Sequence, residues 1–185
     1  MSASVQIPLD LIDAARRREE GASDRLVAAA WPHAYRIAYS IVRERSAAED
    51  AAQEACAIVY RRIVQLRAAQ AFRVWFYRIV MRAATQLERR NLVLRAIEWR
   101  SGPGDDLDDC IVRVDVLQAL AKLTRAQRTA VVLHYYAELN SREIGEVLDV
   151  PGSSVRFHLM QAKRRLEELL GERRLPAFAE VAGAS

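Results

Sequence analysis

The densest chemistry in this 185-residue chain is cationic. Ten Arg and two Glu stand between Arg61 and Arg100, a local net charge of +8 in a chain whose total is +4, so the remaining residues sum to −4. Like charges packed that closely repel one another unless a polyanion sits beside them, and nucleic acid is the usual polyanion. Within this stretch Arg78, Arg82, Gln86 and Arg89 fall on one helical face, with Arg90 close by. Phe72, Trp75, Phe76, Ile79, Val80, Ala83, Ala84 and Leu87 recur at three- and four-residue steps on another face. Aromatics interleaved with Arg suit stacking on single-stranded bases. Here the ring positions coincide with the apolar stripe, so they are read as core and the Arg face as the DNA candidate.

A second site lies toward the C-terminus. Thr124 with Gln127, and Asn140 with Glu143, are capping-box pairs that open helices. The tight turn Asp149-Val-Pro-Gly152 follows the second of these, and Ser153 or Ser154 is placed to cap another helix. Two short helices joined by such a turn, with Gly145 allowing close approach, describe a helix-turn-helix. The outward face of its second helix carries Arg156, Phe157, Met160, Gln161 and Lys163, with His158 at the border. Arg and Gln can read base edges, while Ser153, Ser154 and the helix N-terminus can hold phosphate.

A third group, Asp50, Gln53 and Glu54, shares one helix face among the small residues Ala47, Ala48, Ala51, Ala52 and Ala57. It reads either as a docking patch or as ordinary solvated helix. No catalytic or metal-binding constellation emerges. Asp105, Asp106, Asp108 and Asp109 lie in a Gly/Pro-containing stretch that does not preorganise octahedral ligation. His33, His134 and His158 are far apart and lack a nucleophile partner, and His33 and His134 read as partly buried structural residues. Cys56 and Cys110 match no metal or redox spacing and read as reduced thiols. The reading is of a protein without cofactor or metal and not an enzyme.

Long breaker-free runs rich in Ala, Leu, Arg and Glu must position these groups, and they favour helix throughout. A composition 51% hydrophobic and 28% charged is too apolar for a disordered chain. The pattern predicts a helix from Leu9 stopped by Gly21, a helix from Asp24 continuing through Pro32 to about Val42, and one over 47–66 capped by Ser46 with Glu49. A fourth runs over about 72–91. Ser101 to Asp109, with two Gly, one Pro and four Asp, reads as a linker, and a second helical block runs from about Ile111 to Leu170. The fold class is therefore all-α, two helical domains joined by a flexible acidic linker, the C-terminal one a helix-turn-helix of winged-helix-like type. The boundaries are 9–92, a linker over 93–112, 113–171, and a short tail over 172–185. Each block has apolar residues enough to close its own core, so the two are expected to pack on each other only weakly. No secretory pattern opens the chain and no apolar run is long enough to cross a bilayer, which places it in the cytoplasm without membrane contact of its own.

Over about residues 9–171 the sequence resembles the extracytoplasmic-function sigma factors of bacterial RNA polymerase. Ala48-Glu-Asp-Ala-Ala-Gln-Glu54 is similar to the family's AEDxxQE segment, and Phe72-Arg-Val-Trp-Phe-Tyr-Arg-Ile79 to its FRxWLYRI segment. Leu123 to Arg128, Leu139 to Leu148 and Val155 to Leu166 match its −35-reading domain. The resemblance implies that Asp50, Gln53 and Glu54 bind core polymerase. It assigns Arg67, Arg73, Arg78, Arg82, Gln86, Arg89 and Arg90 to the melted −10 element. Ser153, Ser154, Arg156, Phe157, His158, Met160, Gln161, Lys163 and Arg164 fall to the −35 element. It implies core RNA polymerase, promoter DNA and a cognate anti-sigma factor as partners, and a linker threading the polymerase's RNA path. Met81 stands where the family usually has Arg, Arg67-Ala-Ala-Gln-Ala71 replaces a Gly/Ser-rich loop, and Phe157-His158 replaces a common Ser-Arg pair. The alternative is a helix-turn-helix regulator that does not bind polymerase, although a sensor domain has no need of a +8 stretch.

Overall fold

The computed structural model describes residues 7–97 and 114–170, with side chains given except over 91–97 and 114–117. Among the described residues it forms eight α-helices and no strand. The first block holds α1 (Leu9–Arg16), α2 (Ala22–Val42), α3 (Arg45–Arg62) and α4 (Phe72–Ile97), with short 3-10 turns at Ile63–Gln65 and Ala69–Ala71. The second holds α5 (Val114–Ala121), α6 (Arg125–Tyr135), α7 (Ser141–Leu148) and α8 (Gly152–Leu170).

Several helix ends differ from the sequence expectation. Helix α1 stops before Gly21: Arg18 takes the left-handed conformation at φ 59°, and Gly21, at φ 66°, instead precedes α2. Helix α2 runs unbroken through Pro32, whose missing N–H costs one intrahelical bond that the packing of a 21-residue helix absorbs. Ser46 does not cap α3. Arg43 is left-handed at φ 55°, which swings Glu44 into an extended conformation, and its carboxylate accepts from the Ser46 and Ala47 N–H groups. Helix α4 continues to Ile97, past the expected stop at Asn91, because Leu92 to Ala96 contain no breaker. The acidic stretch and the C-terminal tail, residues 98–113 and 171–185, lie outside the described residues.

Small side chains bring the first block together. Ala47, Ala48, Ala51, Ala52 and Ala55 of α3 are all buried, as are Ala30, Ala34 and Ala38 of α2. The alanines flanking the Asp50 triplet are thus a packing face rather than a smooth exterior around it. From α4, Phe72, Phe76, Tyr77, Val80, Met81 and Ala84 enter the same core. Phe72 and Phe76 stack with ring centroids 5.5 Å apart. The stripe reading of these aromatics is correct, and Met81 joins it.

The two blocks do not stand apart. Ala130, Leu133, Ala137, Leu139, Ile144, Val147 and Val155 of the second block belong to the same buried cluster as the cores of α1 to α4. A smaller cluster of Ala119, Leu123, Val131, Ala162 and Leu166 closes α5, α6 and α8 on one another. The weak packing expected of two blocks that each close their own core does not hold, because the blocks share one buried cluster. The helix that docks is α7, which offers the Glu143 carboxylate to Arg73 and the Glu146 backbone carbonyl to Arg78.

Candidate nucleic-acid interface

The helix-turn-helix is built by local rules that the sequence states openly. Thr124 Oγ1 accepts from the Gln127 N–H while the Gln127 side chain accepts from the Thr124 N–H, so two otherwise orphaned donors at the start of α6 are satisfied. Asn140 and Glu143 make the same reciprocal pair at the start of α7. Helix α7 ends at Asp149, left-handed at φ 58°, and the Val150 N–H returns to the Gly145 carbonyl at 3.0 Å. A Cβ on Gly145 would come within 2.6 Å of the Val150 carbonyl oxygen, so only glycine lets the turn close this tightly. Pro151 follows, and α8 starts at Gly152. Ser153 and Ser154 are therefore first-turn residues, not caps.

Helix α8 divides cleanly. Val155, Ala162 and Leu166 are buried, while Ser153, Arg156, Phe157, Met160 and Arg164 form an exposed stripe on the other side. Ser154, His158, Gln161 and Lys163 flank the stripe and are half-buried. Arg164 and Lys163 lie 3.6 and 4.0 Å from Glu168 and Glu167 one turn on. Exposed pairs of this kind are worth about 0–1 kcal/mol, so a phosphate can displace the carboxylates at little cost.

The Arg-rich face of α4 is split. Arg82, Gln86, Arg89 and Arg90 are exposed, as is Arg67 in the preceding loop. Arg73 instead donates to the Glu143 carboxylate at 2.8 Å, and Arg78 donates through Nη2 and Nε to the Glu146 carbonyl at 2.6 and 3.1 Å. Two of the seven side chains expected to face the −10 strand are thereby held by α7.

Asp50, Gln53 and Glu54 are exposed side by side on α3, on the surface opposite its alanine face, and Glu54 lies 3.7 Å from Arg61. The structure thus brings the polymerase candidates together on one helix and the −35 candidates together on another.

At the junction of the blocks the structure makes contacts that the sequence reading missed, although it read His33 as partly buried. Arg125 lies 2.7 Å from Glu88 and donates to Thr85, and half-buried Arg128 donates through Nε to the Ser40 carbonyl at 2.7 Å. His33, buried at 6% exposure, has Nδ1 3.2 Å from the Tyr136 hydroxyl, and Arg36 lies over the Tyr136 ring. Burial, then the neighbouring Arg36 charge, lowers the His33 pKa below its ordinary value. His134 is tied locally, Nδ1 to the Leu139 carbonyl at 2.8 Å. Cys56 is buried, and burial pushes its thiol up to about 11, so it is unreactive at neutral pH. Among the described residues no cluster of His, Cys, Asp or Glu is placed to hold a metal, and no helix is long and apolar enough to cross a membrane.

Comparison with known proteins agrees with this geometry. The sequence profile of Sigma-70 region 2 matches residues 26–92, and that of Sigma-70, region 4 matches residues 113–166. RNA polymerase sigma factor SigV of Bacillus subtilis is 28% identical over 134 residues, covering 69% of this chain and 78% of its own. ECF RNA polymerase sigma factor SigW of the same organism is 26% identical over 153 residues, covering 74% and 82%. Among solved structures, the sigma factor RpoE bound to the anti-sigma factor NepR from Bartonella quintana superposes with a TM-score of 0.71 at 17% identity. It covers 82% of this chain and 98% of that one. CnrH in complex with the cytosolic domain of CnrY gives 0.64 at 20% identity, covering 90% and 98%. With two sigma-70 regions in order on one all-helical chain, and ECF sigma factors as relatives over most of its length, the protein belongs to the extracytoplasmic-function sigma factors of the sigma-70 family, which direct RNA polymerase to promoters.

Proposed function

We propose that Asp50, Gln53 and Glu54 dock the chain on core polymerase, that the exposed stripe of α8 reads the −35 major groove, and that the Arg face of α4 captures the unwound −10 strand. The observation that supports this most directly is the coexistence of two separate exposed surfaces, a polar triplet with two carboxylates on α3 and a cation-flanked stripe on α8. A regulator acting without polymerase needs only the second. Arg82, Gln86, Arg89 and Arg90 are open to single-stranded DNA as the chain stands, and Arg67 is exposed in the loop before α4. Arg73 and Arg78 join them when α7 lets go. Extruding a base costs a few kcal/mol, which phosphate and pocket contacts offset.

Two domains, 9–92 and 113–171, divide this work, and the chain acts in the cytoplasm without catalytic chemistry of its own. The structural neighbours were solved with anti-sigma partners, which supports a cognate anti-sigma factor for this chain as well. Run-off transcription with core polymerase on a promoter library tests the reading. Start sites with a shared −35 and −10 pattern are expected. Site-specific DNA binding that neither needs nor recruits polymerase would instead identify a conventional regulator.

A further inference from the structure

Two large apolar side chains stand in water at the middle of the α8 stripe: Phe157 is 54% exposed and Met160 59% exposed. Neither belongs to a buried cluster, although the blocks are closed on each other. Ser153 and Arg156 lie on the N-terminal side of this pair, and Arg164 lies on the C-terminal side. An apolar centre between cationic ends fits an occupant that is anionic at its edges and apolar in between. The major groove of duplex DNA has that form wherever thymine occurs, because phosphates line its rims and the thymine C5-methyl group projects into its floor.

We propose that Phe157 and Met160 read thymine methyl groups in the −35 element, beside a base-edge contact from Arg156. This rests on the promoter-reading function proposed above and names the feature of the promoter that this chain selects. Helix geometry sets the spacing. Residues three apart advance about 4.5 Å along the axis, little more than one base-pair step of ~3.4 Å, so the two side chains meet methyl groups on neighbouring base pairs. The ring of Phe157 meets His158 edge-on, with centroids 5.9 Å apart, which limits the positions it can take over the groove.

The test uses holoenzyme assembled from core polymerase and the full chain. A promoter library first yields the preferred −35 sequence, and each −35 thymine is then replaced in turn by deoxyuridine, which removes only the methyl group. The wild-type chain is expected to lose about fourfold in affinity for each contacted methyl, the worth of one buried CH₂-sized group, and about 15-fold for two. Phe157→Ala should bind the thymine and uracil versions equally at one position, and Met160→Ala at the neighbouring one. Both side chains are exposed, so neither substitution threatens the fold. Indifference of the wild-type chain to uracil at every −35 position overturns the inference. So does full discrimination retained by the double variant, including the case where that variant loses only a protein inhibitor, which would make the patch a protein-docking surface. A library that returns no −35 preference overturns the promoter-reading assignment, and this inference with it.

Discussion

At the scale of single residues, the α8 stripe sorts its contacts by chemistry. Arg156 is exposed near the start of the helix, and its planar fork can pair with a guanine edge, a contact worth about 1–3 kcal/mol of discrimination. Arg156→Ala should therefore weaken binding to the selected promoter about 5- to 150-fold and leave random duplex nearly unchanged, as measured by competition titration. Lys163 and Arg164 lie farther along, beside Glu167 and Glu168. Replacing either by Ala should weaken all duplexes alike and reduce the slope of affinity against salt by about one. Equal losses on specific and random DNA for Arg156→Ala would reduce Arg156 to a phosphate contact. On α3, Asp50→Lys reverses an exposed charge whose side chain takes no part in the core. It should abolish co-purification with core polymerase while leaving the thermal unfolding midpoint within a few degrees. Retention of polymerase binding would remove the triplet from the docking surface.

Helices and turns were legible where the signal is local. The Thr124/Gln127 and Asn140/Glu143 pairs form as their spacing requires, and Asp149 takes the left-handed conformation the turn needs. The same signature fails at Ser46, because Arg43 redirects the chain and Glu44 reaches the helix N–H groups first. The Ser46 failure lies three residues from left-handed Arg43, a backbone conformation that propensity does not encode. The simpler reading of Ser153 or Ser154 as an N-cap fails as well, because α8 begins at Gly152, directly after Pro151. Gly145 gives this scale its prediction. The atom its Cβ would strike at 2.6 Å is backbone, the Val150 carbonyl oxygen, which cannot rotate away as a side chain does. Gly145→Ala should lower stability by about 1–3 kcal/mol in urea unfolding despite the better helix propensity of alanine. A neutral or stabilising effect would mean that the turn opens without cost.

Across the whole molecule, the feature least visible in the sequence is the closure of the two blocks. Its polar contacts join residues from 37 (Arg125 and Glu88) to 103 (His33 and Tyr136) positions apart, so no local pattern in the sequence marks them as partners. Charge density places Arg78 on the DNA face and the family resemblance adds Arg73, and neither signal says what else can accept from an Arg. Here α7 supplies the Glu143 carboxylate to Arg73 and the Glu146 backbone carbonyl to Arg78. Most of the closing free energy comes from shared apolar burial, since the partly exposed Arg73–Glu143 pair contributes about 1 kcal/mol or less. The free chain should accordingly give a compact scattering profile. The double variant Arg125→Glu, Arg128→Ala sets a carboxylate against Glu88 and leaves the Ser40 carbonyl without its donor. It should raise the radius of gyration and increase affinity for −10 single strands severalfold by freeing Arg73 and Arg78, which it does not touch. An unchanged profile would show that the apolar contacts alone hold the blocks.

Closure should also depend on pH through His33. This ring is buried at the junction, with Arg36 on its own helix, and Arg73, Tyr77, Tyr136 and Glu138 lining the same cleft. Burial and the Arg36 charge hold its pKa below the ordinary 6.5. The opened or unfolded form therefore binds a proton more readily than the closed one. Closure is fully favoured above pH 6.5 and loses stability as pH falls from there toward the depressed folded value. Acidification makes the ring a second cation facing Arg36. Glu138 on the far side of the cleft is an exposed carboxylate, able to offset only part of that repulsion. Between pH 7.5 and 5.5 the wild-type chain should expand in scattering and lose thermal stability, whereas His33→Phe, which keeps an apolar ring in place, should respond much less. Identical pH profiles for the two proteins would mean that His33 stays neutral over this range, or that its charge is accommodated without opening the junction.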